Sequence, residues 1–323
     1  MWHSFKTGAP TMKLTVSSLL TQKGKQFDLT VLAGQQGLDR PIPQGELNRP
    51  GLAFAGFLDV YSHDRVQILG NTETSYLLSI PPGERRARLA RAMDFDIPCF
   101  VITTSNPAPP ELLELANERR IPILLTSHPT TRFWSMLTFY LEREFAPTRT
   151  VHGVMMDVFG IGVLITGSAG AGKSECGLEL IERGHRLIAD DVVIIKRLAK
   201  NLVVGSATSN VAHHMEVRGL GIVDVELLFG VGSVRDEKRV SLVVRLENRT
   251  DDSMVDRLGI DEKYCDLLGV PVREFVIPVE PGRNLSILVE VACLQHRINA
   301  QGRNPARELN ERLIKQMERS RMI

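Results

Sequence analysis

Residues 167–174 read GSAGAGKS and fit the phosphate-binding loop pattern G-x-x-x-x-G-K-[ST]. An apolar, β-branched run at 161–166 precedes the loop, and an amphipathic stretch at 175–183 follows it and ends at Gly184. These patterns predict a buried strand, a glycine loop and a helix in immediate succession. Inward-facing backbone N–H groups and the positive end of the helix then form a cradle for phosphate oxygens. The chain is therefore expected to fold around a nucleotide-binding α/β unit.

Two side chains of this loop can contact a bound nucleotide or its metal ion directly. The ammonium of Lys173 can reach the β- and γ-phosphates of a nucleotide, and the hydroxyl of Ser174 can ligate Mg²⁺. The alternative interpretation is a glycine-rich turn followed by a chance Lys-Ser pair. The strand and helix patterns on either side disfavour that alternative.

The length and charge of the chain exclude several classes of protein. With 323 residues it exceeds the usual size of one domain, and its 39 basic and 38 acidic residues give a net charge of +1. This balance provides no general attraction to nucleic acid or to an anionic membrane. No stretch approaches the ~20 apolar residues of a membrane span, and the N-terminus lacks a secretory apolar core. The sequence thus indicates a cytoplasmic protein whose partners are small molecules or other proteins.

The alternation of patterns divides the chain into two predicted domains. Residues 12–144 form an α/β domain around a small parallel sheet, preceded by a disordered extension at 1–11 and followed by a linker at 145–150. Its strands are predicted at 29–34, 99–104 and 121–125, and its helices at 84–93, 111–118 and 131–145. Residues 151–323 form the second domain, which carries the phosphate-binding loop. Strands are predicted there at 151–158 and 161–166, and apolar runs at 202–204, 222–227, 240–246 and 275–279 indicate further strands, followed by helices at 285–300 and 305–321.

Two adjacent carboxylates, Asp190 and Asp191, lie on a strand predicted at 185–193, one short helix after the loop. Because side chains alternate across a strand, the two point to opposite faces or straddle the strand end, so that one faces the phosphates. Phosphoryl transfer needs charge neutralisation, in-line positioning and a group that takes the proton of the nucleophile. A carboxylate beside the γ-phosphate can take that proton, whereas the alternative is an acidic pair that caps a turn.

A second unusual stretch, MEVRGLGI, places Glu216 and Arg218 on one face of a predicted strand before a glycine-rich bend. Mg²⁺ needs only one or two protein oxygens beside water and phosphate, so a lone Glu216 is weak evidence for a metal site. His152 stands alone on an apolar strand, and this position favours a core or surface histidine with a structural role. Arg257 can stabilise a transferring phosphate, but so can any arginine in a loop.

Several stretches together resemble one family, the bacterial HPr(Ser) kinase/phosphorylases. The stretches of the second half are HG (152–153), GSAGAGKSE (167–175), RGHRLIADD (183–191), MEVRGLGIVDV (215–225), DRLG (256–259) and PVEPGRN (278–284). Those of the first half are LNRPGLAFAGF (47–57) and RVQILGNTE (65–73). The short distance from the loop to ADD, followed by EVRGLG, distinguishes this family from the common nucleoside triphosphatases. The resemblance spans nearly the whole chain from Met12.

The resemblance implies a bifunctional cytoplasmic enzyme that acts on a serine of HPr, the phosphocarrier protein of the sugar phosphotransferase system, and so regulates carbon metabolism. It implies phosphorylation with ATP or pyrophosphate, and phosphorolytic dephosphorylation that consumes phosphate and produces pyrophosphate. It further implies a C-terminal domain similar in fold to phosphoenolpyruvate carboxykinase, and a homohexamer.

Carried over by motif, the resemblance implies His152, Lys173, Asp191 and Arg257 as the catalytic set, with Ser174 and Glu216 as ligands of Mg²⁺. Asp191 would accept the proton of the attacking serine and return it in the reverse reaction. The residues that would bind ATP, phosphate and pyrophosphate are Gly167, Ser168, Ala169, Gly170, Ala171, Gly172, Lys173 and Ser174. Two other interpretations stay open: a kinase of a small hydroxylated metabolite, and a nucleotide sensor without turnover.

Overall fold

The computed structural model of the protein describes residues 14–208, 212–248, 262–305, 307–309, 312, 314, 316 and 317. The chain divides into two units, the first ending at Ala146 and the second beginning at Pro147. The extension predicted at 1–11 lies outside the described residues. Within the described part of the chain, no helix is both long and apolar enough to span a membrane.

The N-terminal unit is built from short strands that alternate with helices. Its elements are α1 (Val16–Lys23), β1 (Thr30–Ala33), β2 (Leu47–Asn48), α2 (Gly51–Phe54), β3 (Val66–Leu69), α3 (Asn71–Ser79), α4 (Pro82–Ala92), β4 (Phe100–Ile102), α5 (Pro110–Arg119), β5 (Ile123–Leu125) and α6 (Thr130–Glu144). The strands and helices predicted from the sequence in this half are confirmed as β1, β4, β5, α4, α5 and α6. Helices α4 and α5 begin at Pro82 and Pro110, because proline has no N–H to leave unsatisfied in a first turn.

These strands form one sheet in the order β1-β5-β4-β3-β2. Strands β2 to β5 run parallel, and β1 pairs with β5 in the antiparallel sense at the edge. Phe100 and Ile102 of β4 pack on the side of α4 and α5, while Val101 packs on the side of α1 and α6. A parallel sheet that is covered on both faces favours continuously apolar strands, as seen in β4 and β5, whereas β3 also buries Gln67. The predicted small parallel sheet is confirmed, with an antiparallel edge strand in addition.

The C-terminal unit contains the following elements. They are β6 (Thr148–His152), β7 (Val154–Val158), β8 (Ile161–Gly167), α7 (Lys173–Glu182), β9 (Arg186–Ala189), β10 (Val192–Ala199), β11 (Leu202–Ser206), β12 (His214–Val217), β13 (Gly221–Asp224), α8 (Val225–Phe229), β14 (Glu237–Arg239), β15 (Leu242–Asn248), β16 (Lys263–Leu267), β17 (Val270–Val279) and α9 (Leu285–Ala300). The described residues between 305 and 317 are also helical, in agreement with a helix that the sequence predicts at 305–321.

A six-stranded sheet in the order β16-β17-β15-β8-β7-β9 forms the middle layer of this unit. Val163 and Ile165 of β8 pack on the side of α7 and α9, whereas Leu164 packs against a four-stranded sheet in the order β14-β11-β10-β6. Strands β8, β15 and β17 run parallel. Their carboxyl ends therefore meet at one edge of the sheet, and the phosphate-binding loop leaves β8 at that edge.

The segment around α8 differs from the sequence prediction of a strand at 222–227. Strand β13 ends at Asp224, and α8 begins with the next residue. The Asp224 side chain accepts a hydrogen bond from the backbone N–H of Leu227 (3.0 Å) and so caps the helix. The predicted strand is wrong at this point because Asp224 caps a helix and so ends the strand.

Candidate active site

Residues 168–172 connect β8 to α7, and the predicted succession of strand, glycine loop and helix is confirmed. Gly167 and Gly172 have φ angles of 152° and 83°, which favour glycine. A Cβ atom on Gly167 would lie only 2.5 Å from the backbone oxygen of Leu246 on β15. The path of the loop therefore depends on these glycines, and it delivers the chain to the N-terminus of α7.

Lys173 is the first residue of α7, and its ammonium folds back over the loop. Its Nζ donates hydrogen bonds to the carbonyl oxygens of Gly167 (3.1 Å) and Ser168 (2.9 Å). This contact places a positive charge beside the backbone N–H groups of the loop, where phosphate oxygens would lie. The geometry agrees with the phosphate contact that the sequence pattern predicts for Lys173.

Asp190 connects the loop to the neighbouring hairpin β12–β13. Ser174 Oγ donates to its Oδ1 (3.1 Å), and the backbone N–H of Glu216 donates to its Oδ2 (3.2 Å). Asp190 is only 7% exposed, and this burial raises the pKa of its carboxyl, although both hydrogen bonds oppose the rise. Of the two adjacent aspartates, Asp190 is thus the one that faces the loop.

Asp190 and Asp191 do not lie on one strand, which corrects the strand predicted at 185–193. Strand β9 ends before them in the six-stranded sheet, and β10 begins after them in the four-stranded sheet. A strand that the sequence predicts at 151–158 is divided in the same way, because β6 and β7 belong to different sheets and meet at Gly153. Both segments change sheets at one point, where the backbone N–H of Gly153 donates to the Asp191 carbonyl (3.0 Å).

This crossing brings His152 beside Asp191. Nδ1 of the histidine lies 3.6 Å from Oδ1 of the carboxylate, and the two side chains are 75% and 73% exposed. His152 is therefore a surface histidine with an acidic neighbour, which confirms the surface alternative of the prediction and excludes the core alternative. Asp191 has a φ of 61°, which is uncommon for residues other than glycine and is found preferentially at functional sites.

The hairpin β12–β13 brings a second cation to the loop. The sequence predicts Glu216 and Arg218 on one face of a strand, but β12 ends at Val217 and Arg218 lies in the turn. Nη2 of Arg218 lies 4.0 Å from the position that a Cβ atom on Gly170 would occupy. The sequence patterns include Asp190 and Arg218 but assign neither of them a role in the site, since their proximity to the loop arises from the pairing of distant segments.

The chemistry of two residues tied to Asp190, Ser174 and Glu216, fits a magnesium ion that is bound together with phosphate. Within the described residues, no group of three or more His, Cys, Asp or Glu side chains is arranged to hold a metal ion. Magnesium requires fewer protein ligands when it keeps water and phosphate oxygens. The Ser174 hydroxyl and the Glu216 carboxylate are hard donors of the kind it prefers, and both residues are tied to Asp190. Arg257 lies outside the described residues.

Comparison with known proteins connects this site to one family. The profile described as HPr Serine kinase N terminus matches residues 14–141, and the HPr Serine kinase C-terminal domain matches residues 143–313. The chain is 42% identical over 294 residues to an HPr kinase/phosphorylase of Bacillus cereus (strain 03BB102) and to one of Bacillus anthracis (strain A0248). Each match covers 91% of this chain and 95% of the relative. A solved structure of the Hpr(Ser) kinase/phosphatase from Coxiella burnetii is 36% identical, with a TM-score of 0.45, over 48% of this chain and 93% of that chain.

Proposed function

The chain belongs to the HPr kinase/phosphorylase family, and we propose on that basis that it phosphorylates a serine of the phosphocarrier protein HPr and also removes this phosphate. It is a phosphotransferase, and both of its units match the family. The observation that best supports the assignment of residues is the different surroundings of two adjacent carboxylates. Asp190 is bonded to Ser174 of the loop, whereas Asp191 is exposed where the hydroxyl of a protein substrate can reach it.

In the kinase direction, the serine hydroxyl of HPr attacks the γ-phosphorus of ATP. The bond between Oγ and phosphorus forms, the bond from phosphorus to the bridging oxygen breaks, and ADP leaves. Asp191 accepts the hydroxyl proton, and His152 beside it holds this carboxylate in position. Lys173 neutralises charge on the phosphate oxygens, and Arg257 stabilises the transferring phosphoryl group.

In the phosphorylase direction, an oxygen of inorganic phosphate in the loop attacks the phosphorus of phosphoserine. Pyrophosphate forms, the bond between phosphorus and the serine oxygen breaks, and Asp191 returns its proton to that oxygen. One carboxylate serves both directions because each is the reverse of the same kind of step. The same argument makes pyrophosphate an alternative phosphoryl donor in place of ATP.

Ser174 and Glu216 would hold Mg²⁺, which supplies charge neutralisation at the phosphate oxygens when bound. Residues 167–174 would hold ATP, phosphate or pyrophosphate through the backbone N–H groups of the loop. We further propose a homohexamer in the cytoplasm. Static light scattering of the purified chain would test the assembly, since a single species of smaller mass would contradict it.

A phosphotransfer assay on purified HPr with ATP and Mg²⁺ tests the proposal by comparing the protein with Asp191→Asn. The substitution is expected to lower the rate of transfer by about 10²–10⁴-fold and to leave ATP affinity unchanged, because the carboxylate acts on the acceptor and not on the nucleotide. Inorganic phosphate should then remove the label from HPr and release pyrophosphate. Tight ATP binding without any transfer by the intact protein would favour a nucleotide sensor. Transfer to a small hydroxylated compound but not to HPr would favour a metabolite kinase.

A further inference from the structure

A cavity of about 620 Å³ lies in the C-terminal unit away from the phosphate-binding loop. Its lining includes residues at the start of β17, the last turns of α9 and the connection from β14 to β15. Strand β17 runs parallel to β15 and β8, so the cavity lies at the amino ends of these strands and the loop at the carboxyl ends. The part of β17 from Arg273 to Val279 spans about 20 Å at roughly 3.3 Å per residue. The cavity is therefore a separate place on the same sheet.

Arg273 of β17 is a buried cation that lines this cavity. It is 7% exposed, and its Nη1 pairs with Oε2 of Glu262 at 2.9 Å. Its Cζ lies 5.7 Å from the ring centre of Tyr264 and 5.2 Å from that of Phe275. Its Nε has no hydrogen-bond partner among the residues that the structure describes. A buried donor without an acceptor is unfavourable, so this guanidinium has capacity for an additional acceptor.

Two further basic side chains line the same cavity, Arg239 at the end of β14 and His296 of α9. Burial lowers the pKa of His296, and the positive charges of Arg273 and Arg239 lower it further, while Glu262 opposes them. The charged side chains of the lining are two arginines and one glutamate, which leaves an excess of positive charge. The remaining wall combines aliphatic side chains, such as Val240 and Val270, with polar ones, such as Asn201 and Asn299.

We propose that this cavity is a binding site for a small organic anion, whose carboxylate or phosphate oxygens are held between Arg239 and Arg273. Guanidinium groups bind such oxygens in a bidentate manner, and the aliphatic part of the wall accommodates the carbon skeleton. The cavity volume lies in the range typical of small-molecule sites. This site goes beyond the proposed function, because it requires neither HPr nor a nucleotide.

The test uses the full-length protein with ¹³C-labelled histidine and follows the imidazole signals by NMR. His296→Asn assigns the signal of His296. The probes are malonate, as a dicarboxylate, and glycerol 3-phosphate, as a phosphate ester. The bound anion should raise the apparent pKa of His296 by about half a unit or more, because it offsets the two guanidinium charges. The probe that binds more tightly identifies the class of ligand.

Arg239→Gln should weaken this response about tenfold or more, because it removes one of the two arginines. Arg186→Gln is the matched control, since Arg186 is an exposed arginine of the same unit that does not line the cavity. Lys173→Ala should leave the response unchanged, which separates the cavity from the phosphate-binding loop. The proposal is overturned if neither probe moves the His296 signal, if Arg239→Gln binds as tightly as the intact protein, or if Lys173→Ala abolishes the response.

Discussion

Ser174 and Asp190 are joined by a hydrogen bond of 3.1 Å from the serine hydroxyl to Oδ1 of the carboxylate. The second oxygen of Asp190 accepts from the backbone of Glu216, so one buried carboxylate links the start of α7 to the hairpin β12–β13. Both proposed magnesium ligands are thereby tied to the same side chain. Burial disfavours the charged form of this carboxylate and therefore raises its pKa.

Asp190→Asn is expected to raise the free energy of unfolding of the free protein near neutral pH, by about 1 kcal/mol. The pKa of Asp190 is raised above its ordinary value of 3.8, so the folded protein holds this proton more tightly than the unfolded chain. The corresponding stability is present below 3.8 and is lost as pH rises through the raised value. Urea unfolding from about pH 3.5 to about pH 7.5 measures the effect, and the advantage of the variant should grow as pH rises from 3.8 to the raised pKa of Asp190 and stay constant above it. An advantage that stays constant over the whole of this range would contradict a raised pKa.

His152→Asn is expected to lower the rate of phosphoryl transfer to HPr by about 10–100-fold while ATP affinity stays the same. The imidazole lies 3.6 Å from the carboxylate of Asp191. The side chains of Lys173 and Ser174 instead donate hydrogen bonds to the loop carbonyls and to Asp190. Single-turnover transfer and equilibrium ATP binding are the two measurements. A loss of ATP binding with an unchanged rate at saturation would show that His152 acts on the nucleotide instead.

Gly153→Ala is expected to destabilise the protein by about 1–3 kcal/mol and to reduce phosphoryl transfer. Its Cβ atom would lie 2.4 Å from the backbone oxygen of Ile165, so the crossing of the two strand segments would have to move. Gly232→Ala is the matched control, because no atom lies within 4 Å of the Cβ position there. The measurement is the midpoint temperature of thermal unfolding of the two variants, and equal midpoints would contradict the predicted steric clash at Gly153.

Glu290→Gln is expected to cost about 1–3 kcal/mol of stability at neutral pH. Glu290 of α9 accepts from Arg183 (2.9 and 2.6 Å) and contacts His185 (2.8 Å), and the hydrogen bond with Arg183 is the main reason why the pKa of Glu290 is lowered. A lowered carboxyl pKa gives stability above the ordinary value of 4.5 that is lost as pH falls. The difference between the variant and the intact protein should therefore shrink on acidification.

Glu308→Gln serves as the control for this prediction, since Glu308 forms an ion pair with Arg303 at the surface. Surface pairs of this kind contribute little, so urea unfolding of this variant should match that of the intact protein. A change as large as that of Glu290→Gln would show that the loss of a negative charge, and not the buried contact, determines the stability.

The phosphate-binding loop could be predicted from the sequence because its chemistry depends on neighbouring residues. Glycines, Lys173 and Ser174 are fixed by local spacing, and the structure confirms the strand and the helix around them. The pairing of His152 with Asp191 could not be predicted in this way. Each of the two segments, 151–158 and 185–193, reads as one continuous strand, and no local pattern shows that the segment passes from one sheet to another.

The hairpin illustrates a second limit of local patterns. Alternation along MEVRG correctly indicates a strand, but the turn that places Arg218 beside the loop depends on the pairing of β12 with β13. The end of β13 could not be predicted from the local pattern either, because Asp224 ends the strand by capping the helix that follows. Long-range contacts, not propensities, determine both features.

The shared crossing point also has a consequence for a newly synthesised chain. His152 lies opposite Val192 in the pairing of β6 with β10, and a slip of one residue would turn the imidazole to the other face. A folding intermediate in which only the six-stranded sheet has formed lacks this pair, even though its loop is complete. The contact between His152 and Asp191 therefore reports on the register of the pairing between β6 and β10, whereas the phosphate-binding loop does not depend on that register.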